Sequence, residues 1–346
     1  MFPAAKPSRS NDSTRKIESR TRAKTVALQA LLVCMTLAAY LPAMRAGFIW
    51  DDDAYVTENQ TLRWIRGSAS AALLVALGTV TGLQARIYRN PETLWQDTIR
   101  KNPACWMAHE NLGVYYASQG RLDDAISRYS EALRLRPDDA NLRHDLGTAL
   151  ARQGRYPEAT AQLFIALRLR PEFYEAQYNL GISLLQQRRY AEAIPHLTEA
   201  LHLKGDDPQA HYMLAKACAG VGRVAEAVQH YRVALTFQSD WPVAMNDLAW
   251  LLATDEDPKT RRGDEAVRLA KRACELTGYR DVNYMDTLAA AYAEAGNFAE
   301  AVKIGQSTLD LARSTNQDAK SLADYWSRLA RYRQGIPYRD RPTSGR

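Results

Sequence analysis

The amino-acid sequence predicts an all-α protein built from a stack of helix pairs. Its strongest feature is a Leu-Gly dipeptide that returns every 34 residues together with an apolar helix pattern, at 112–113, 146–147 and 180–181. Ala, Leu and Arg dominate the composition, and no segment alternates apolar and polar residues as a half-buried strand would. Glycine and proline mark helix ends, as Gly120 and Pro137 do in the first full unit.

The chain begins with a basic segment, residues 1–24, which we expect to be a disordered tail. It carries seven Lys or Arg residues against Asp12 and Glu18. Contact with nucleic acid is one interpretation of such a cluster. The alternative is a charge signal that keeps this end inside the cell, and the apolar stretch directly behind it favours that interpretation. We therefore predict no nucleic-acid partner.

Two uncharged segments predict transmembrane helices on either side of an acidic loop, residues 45–67. Residues 25–44 form a stretch of twenty residues, about the length that crosses a bilayer. The alternative is a signal peptide, although the cleavage sites available are poor. Residues 68–84 are a weaker candidate, in which Gly78 and Gly82 have the spacing of small residues that pack helices within lipid. The alternative there is a soluble, alanine-rich helix.

The repeats extend over residues 88–312. Gly or Ala at the eighth place of a unit lets its two helices approach, and Ala at the twentieth and twenty-seventh places lets the next pair nest. The predicted units are four full ones at 106–139, 140–173, 174–207 and 208–241, and two degenerate ones at 242–281 and 282–312. A polar insertion at 254–263 predicts a loop. A cap helix is predicted at 317–335, with charges facing solvent and a packing stripe of Leu322, Trp326, Leu329 and Tyr332.

These units resemble the tetratricopeptide (TPR) family. The resemblance implies a solenoid in which the second, fifth, sixth, ninth and thirteenth places of each first helix line a concave groove that holds extended peptides. Asn and Asp side chains at the sixth place can hydrogen-bond a peptide backbone; the alternative is that they contact only water. The candidate groove residues are Asn111, His144, Asp145, Tyr178, Asn179, Tyr212, Lys216, Asp247 and Trp250.

A second resemblance concerns the ends of the chain. The stretch FIWDDDAYVTENQTL at 48–62 and the junction at 88–112 look like parts of bacterial, membrane-embedded, TPR-bearing glycosyltransferase-like proteins. These are similar to protein O-mannosyltransferases, which use lipid-linked sugar donors. The resemblance implies a bacterial inner membrane location and a catalytic role for Asp51, Asp52 and Asp53. The multi-span middle of such enzymes is missing here, so a separate membrane subunit is a candidate partner.

Two functional hypotheses follow. The favoured one is a membrane-anchored scaffold, in contact with the lipid bilayer, that binds protein or peptide partners through the groove. The alternative is a glycosyltransferase-like membrane protein or its remnant, acting through Asp51–Asp53. We expect no metal and no cofactor, because the sequence has no ligand spacing typical of a metal site and no phosphate-binding glycine loop. The loop charges mildly favour both chain ends inside the cell, whereas the second resemblance places the repeats outside with the acidic loop. The side of the membrane that carries the repeats therefore stays open.

Overall fold

The computed structural model describes residues 90–340 and Gly82, and in this part of the chain all regular structure is helical. The described residues form fourteen helices. In chain order they are α1 (Pro91–Lys101), α2 (Trp106–Ser118), α3 (Leu122–Leu135), α4 (Ala140–Arg152), α5 (Tyr156–Leu169), α6 (Tyr174–Gln186), α7 (Tyr190–Leu203), α8 (Pro208–Gly220), α9 (Val224–Phe237), α10 (Pro242–Thr254), α11 (Gly263–Leu276), α12 (Val282–Glu294), α13 (Phe298–Ser314) and α14 (Ala319–Arg333). The predicted all-α helix-pair class is confirmed.

The chain divides into two compact units, Met1–Leu135 and Arg136–Arg346. The described part of the first unit holds α1, α2 and α3. There α2 lies close along α3 because Gly113 has no side chain: a Cβ at this position would lie 2.7 Å from the ring of Tyr129. The Tyr116 hydroxyl of α2 donates a hydrogen bond of 3.0 Å to Glu92 of α1, so α1 packs on α2 through a polar contact.

The second unit is a run of closely packed helix pairs, α4–α5 to α12–α13. Glycines at the eighth place lie against large side chains of the partner helix: a Cβ on Gly147 would lie 2.8 Å from Leu163 Cγ, and one on Gly181 would lie 2.5 Å from Leu197 Cγ. The small residues at the twentieth and twenty-seventh places are fully buried, as close nesting requires. These are Ala159, Ala166, Ala193, Ala200, Ala227 and Ala234, each 0% exposed.

In the pairs α4–α5, α6–α7, α8–α9 and α12–α13, a left-handed residue follows the first helix and turns the chain toward the second. Gly154 and Gly222 adopt φ of 79° and 80° at this place, where glycine has no steric penalty. In the pair α6–α7 the same place holds Arg188, with φ of 59°. An arginine there carries the cost of a Cβ in the left-handed region.

A polar contact that recurs every 34 residues fixes the loop before each of three successive pairs. We call it the loop clasp. A side chain at the fourth place of the first helix bonds the backbone carbonyl six residues earlier and also a side chain nineteen residues later. Its members are Arg143 with Pro137 O at 3.0 Å and Gln162 at 2.8 Å, Gln177 with Pro171 O at 3.4 Å and His196 at 2.8 Å, and His211 with Gly205 O at 3.3 Å and His230 at 3.1 Å.

The third loop clasp consists of two histidines. Because His211 Nε2 faces a carbonyl, that nitrogen donates, so His211 Nδ1 accepts the hydrogen bond from His230 Nδ1. Burial, and then the neighbouring His211, lower the pKa of His230. In the sequence both histidines stand at ordinary helix positions, so their pairing becomes apparent only when α8 and α9 are brought together.

The cap helix α14 packs differently from the sequence prediction. Tyr325, Leu329 and Tyr332 are buried, whereas Trp326 is 49% exposed. The buried stripe follows i, i+4, i+7 from Tyr325, so Trp326 lies one residue, about 100°, away from it. The charged side is not fully solvated either, because Arg328 is bonded to buried Asp286 of α12 at 2.8 Å.

The chain then turns at Gly335, with φ of 71°, and residues 336–340 run back over α10. We call residues 336–340 the strap. The Asp340 amide donates to Thr254 O at 2.9 Å, and Trp250 Nε1 donates to the Asp340 carboxylate at 2.8 Å. Arg339 forms an ion pair of 2.6 Å with Glu294 of α12. The strap therefore ties the end of α10 to α12.

The predicted membrane location requires correction. In the part of the chain that the structure describes, each helix is too short or too polar to cross a bilayer. The longest, α13, has 17 residues and carries several charged side chains. This finding contradicts the predicted location in a bacterial inner membrane. The basic tail, both predicted spans at 25–44 and 68–84 (Gly82 apart) and the acidic loop at 45–67 lie outside the described residues.

Candidate functional site

The candidate groove residues of the second unit lie on successive first helices, and we call this surface the first-helix face: the fifth, sixth and ninth places of α4, α6, α8 and α10. At one end, the Asn179 side-chain amide donates to His144 Nε2 at 3.0 Å and to Thr148 Oγ1 at 3.1 Å. Since His144 Nε2 accepts, His144 Nδ1 donates to Asp145 at 3.0 Å. Three predicted residues from two repeats thus form one hydrogen-bonded group.

Tyr178, at the fifth place of α6, is half-buried beside a second tyrosine. Its ring stacks on that of Tyr174 with a centroid distance of 6.1 Å and an interplanar angle of 11°. The Tyr174 hydroxyl donates to Asp207, the residue that caps α8. Burial raises the pKa of Tyr178 to about 12, so its hydroxyl is a neutral hydrogen-bond donor and acceptor at physiological pH.

The next group joins α8 to α10. Tyr212 donates to Asp247 Oδ2 at 3.0 Å, and its ring packs on Trp241 at a centroid distance of 4.7 Å. Burial raises the pKa of Asp247 above its ordinary value, opposed by the hydrogen bond from Tyr212 and by the charge of Lys216. The Lys216 ammonium lies over the Tyr212 ring, 5.5 Å from its centroid. Lys216 is exposed, so it places a positive charge at the edge of the first-helix face.

Trp250, at the ninth place of α10, is held by the strap and the cap helix. Besides the hydrogen bond to Asp340, its ring packs on Tyr338 at 5.8 Å. The Arg328 guanidinium lies 5.6 Å from the Trp250 ring centroid. The predicted groove residue is thus partly covered by the cap helix, which the sequence predicted at 317–335 as a solvating end, and by the strap, to which the sequence assigned no role.

A concave pocket of about 390 Å³ opens beside Trp250, between α10, α12 and α14. Asp247 and Trp250 were predicted to face a ligand, whereas the other polar residues were not. Thr287 stands at the sixth place of α12 and Asp286 precedes it, so the repeat register contained a signal for that wall. No periodic signal identified the α14 residues, because α14 lies outside the repeats. The polar and aromatic lining consists of Tyr231, Asn246, Asp247, Trp250, Asn283, Asp286, Thr287, Ser321, Asp324, Tyr325 and Arg328.

The pocket wall contains a buried ion pair. Arg328 Nη2 lies 2.8 Å from Asp286 Oδ2, and Nε donates to Oδ1 at 3.0 Å. Burial raises the pKa of Asp286 to about 6, against the opposing charge of Arg328. The pair is bidentate, which fixes the guanidinium plane over the aromatic rings.

Two sets of predicted residues lie elsewhere. Asn111 belongs to the first unit, where it is exposed and its amide donates to Met107 O, one turn earlier, at 2.8 Å. Asp51, Asp52 and Asp53 lie outside the described residues. Within residues 90–340 there is no group of three or more His, Cys, Asp or Glu side chains arranged to hold a metal ion.

Comparison with protein families identifies the repeats. Models described as tetratricopeptide repeat match residues 144–208, 180–244 and 282–318, and one described as TPR repeat matches residues 113–154. The chain therefore carries tetratricopeptide repeats, as predicted. These matches begin at residue 113, and the resemblance of the chain ends to glycosyltransferase-like proteins is not shown. A bilayer and a separate membrane subunit as partners are likewise unsupported.

Several solved structures are similar in fold. The double mutant MamA RS-1 ArsTM is 23% identical, covers 51% of this chain and 96% of its own length, and has a TM-score of 0.46. YrrB, described as a TPR protein with an unusual peptide-binding site, is 22% identical over 53% of this chain and 92% of its own, with a TM-score of 0.47. MamA from Desulfovibrio magneticus RS-1 is 22% identical over 51% and 97%, with a TM-score of 0.45. No curated protein matches the chain.

Proposed function

We propose that these tetratricopeptide repeats bind an extended peptide segment of a partner protein along the first-helix face of the second unit. One observation carries the proposal. Side chains from neighbouring repeats already bond one another across this face, as His144 does with Asn179 at 3.0 Å and Tyr212 with Asp247 at 3.0 Å. The side chains of this face are therefore joined in two groups, α4 with α6 and α8 with α10, and do not stand separately.

Such bonding favours binding because it orders the side chains before a ligand arrives. Immobilising a polar side chain on binding costs about 0.5–1.5 kcal/mol, and a preordered side chain avoids much of this cost. The bonds of Asn179 use its amide nitrogen, which leaves its side-chain carbonyl to accept from a peptide N–H. His144 and Asp145 retain 15% and 28% side-chain exposure, enough for contact with a ligand.

The aromatic residues supply contacts for peptide side chains. Tyr178 is half-buried and stacked on Tyr174, so its ring is rigid. Rigid aromatic rings at the centre of an interface contribute strongly to affinity. Lys216 lies over the Tyr212 ring, and α8 carries no second Lys or Arg. We therefore propose an internal peptide segment, and not a C-terminal carboxylate, as the ligand.

The test is selection of random displayed peptides on the full chain, followed by affinity measurement with a fluorescein-labelled selected peptide. We expect Asn179→Ala and Tyr178→Ala each to weaken binding by about tenfold, the loss of one good contact. Ser307→Ala, which removes an exposed hydroxyl from α13, is the control and should bind as the unmodified chain does. If no peptide is enriched, or if the Asn179 and Tyr178 variants bind all selected peptides unchanged, the proposal is wrong.

A further inference from the structure

The pocket beside Trp250 carries an imbalance of charge that peptide binding in general does not require. Three carboxylates line it, Asp247, Asp286 and Asp324, against one guanidinium, Arg328. Arg328 is fully engaged with Asp286 through two hydrogen bonds. Among the residues that line the pocket, Asp247 and Asp324 are thus left without a cation, although the charge of Lys216 reaches Asp247 from outside the lining.

Asp247 is the more informative of the two. The residue is half-buried, and its carboxylate accepts from the neutral Tyr212 hydroxyl at 3.0 Å. A buried carboxylate that has only neutral donors is costly, and the rise in its pKa reflects that cost. A cation placed beside it would remove most of the cost, so the site favours a positively charged group over a neutral one.

A second observation on the same wall points to a hydrogen-bond donor. Asn246 lines the pocket, and its side-chain oxygen is buried without a hydrogen-bond partner in the described structure. Buried acceptors are almost always satisfied in native proteins, so an unpartnered one needs an explanation. Guanidinium and ammonium groups carry several N–H donors and could serve Asn246 and Asp247 together.

Size and access agree with such a group. A volume of about 390 Å³ is in the lower range for small-ligand sites and leaves room for one long side chain. Asp324 is exposed at the rim, on the first turns of α14, where it would attract a cation from solvent. Trp250 and Tyr325 supply apolar walls for the methylene stem of a lysine or arginine.

We infer that this pocket is a specificity site for a single Lys or Arg side chain of the bound peptide, with Asp247 as the charge partner and Asp324 at the rim. The inference rests on the proposed function, because the peptide must lie on the first-helix face to deliver the side chain. An acidic residue at the same register of the peptide is excluded by repulsion from Asp247 and Asp324.

The test is the displayed-peptide selection on the full chain, run in parallel on Asp247→Asn. We expect the peptides selected by the unmodified chain to share a Lys or Arg at one register, and this preference to disappear for Asp247→Asn. With one labelled peptide, Asp247→Asn should weaken binding about tenfold and Asp324→Asn about threefold. Asp310→Asn, an equal change of charge at an exposed position of α13, should have no effect.

A double-mutant cycle separates local from general electrostatics. Replacing the basic residue of the peptide with glutamine should weaken binding to the unmodified chain and change binding to Asp247→Asn little. Asp324 is exposed, so its variant folds normally and provides a second measurement if Asp247→Asn is unstable. Two results would overturn this inference and leave the proposed function intact. One is that the selected peptides share no basic position; the other is that both aspartate variants prefer a basic residue as strongly as the unmodified chain does. Failure to select any peptide would instead overturn the proposed function.

Discussion

The hydroxyl of Tyr212 on α8 donates a hydrogen bond of 3.0 Å to the carboxylate of Asp247 on α10. The two residues stand at the fifth and sixth places of consecutive repeats, so the bond crosses from one unit to the next. It holds Asp247 at the edge of the acidic pocket without neutralising it. The ionisation of Asp247 therefore affects both the stability of the fold and the ligand that the pocket accepts.

The first prediction concerns pH. The folded-state pKa of Asp247 is raised above 3.8, so the folded chain binds this proton more readily than the unfolded chain does. The free energy of unfolding that depends on this group therefore falls as pH rises through the folded pKa. Asp247→Asn retains an acceptor for Tyr212 and carries no charge, so it should be more stable than the unmodified chain at pH 7. The advantage should vanish near pH 4, about the ordinary pKa of an aspartate.

Urea unfolding of both proteins between pH 4 and 7 is the measurement. Asp310→Asn serves as the control, because its exposed carboxylate should produce no such pH-dependent difference. A stability difference between Asp247→Asn and the unmodified chain that does not change with pH would show that burial of this carboxylate has no cost.

The second prediction concerns the close approach of α6 and α7. Gly181→Ala would place a Cβ 2.5 Å from Leu197 Cγ, so one of the two helices must shift. Overpacking of this kind costs about 1–3 kcal/mol in the free energy of unfolding. Gly205→Ala is the matched control, because its Cβ would lie 3.6 Å from the nearest atom, Leu201 O, at ordinary contact distance. Equal unfolding free energies for the two variants would contradict this packing.

The third prediction concerns Arg188. Its φ of 59° lies in the left-handed region, which glycine adopts without a steric penalty. Arg188→Gly should raise the free energy of unfolding by about 0.5–1 kcal/mol. The converse change, Gly154→Ala at the equivalent turn, should lower it by about 1 kcal/mol, because φ there is 79°. Thermal unfolding of both variants tests the pair, and a loss of stability in Arg188→Gly would be the contrary result.

The fourth prediction concerns the strap. Deleting residues 336–346 removes the contacts of Asp340 with Trp250 and Thr254 and the ion pair of Arg339 with Glu294. The chain has seven tryptophans, so the signal of Trp250 is taken as the difference between each protein and its Trp250→Phe variant. We expect this signal to shift to the red as the ring is exposed to water, and the free energy of unfolding to fall by about 2–4 kcal/mol for several bonds broken together. Deleting only 341–346 preserves every one of these contacts and is the control. If the Trp250 emission of the longer deletion equals that of the unmodified chain, the strap does not cover Trp250.

The sequence predicted the helix pairs well because close packing dictates their spacing. Gly181 and Ala193 appear at fixed places since nothing larger fits there, and the structure has them buried. The polar group of His144, Asp145 and Asn179 was predicted residue by residue from the repeat register. That Asn179 bonds His144 was not predicted, because such a bond depends on how far consecutive repeats rotate.

The pocket was less predictable. Arg328 lies on the charged side of α14, and charge on a terminal helix usually indicates solvent. Its burial against Asp286 depends on α14 folding back over α12, a contact between residues 42 positions apart. The predicted packing of Trp326 was wrong for a related reason. An aromatic residue in an amphipathic stripe predicts burial, yet the stripe that α14 presents to its neighbours begins at Tyr325.

The loop clasp also defines how a repeat of this chain could be exchanged. Each clasp begins at a backbone carbonyl before the first helix, at Pro137, Pro171 and Gly205, and closes within the following helix pair. A cassette cut at these carbonyls, such as residues 171–204, therefore carries its whole clasp with it. A cassette cut at the helix start, at residue 174, would leave its anchoring carbonyl, that of Pro171, behind in the chain from which it was cut. Repeats should therefore be recombined or grafted at the clasp carbonyl. The exchangeable unit begins three residues before its first helix.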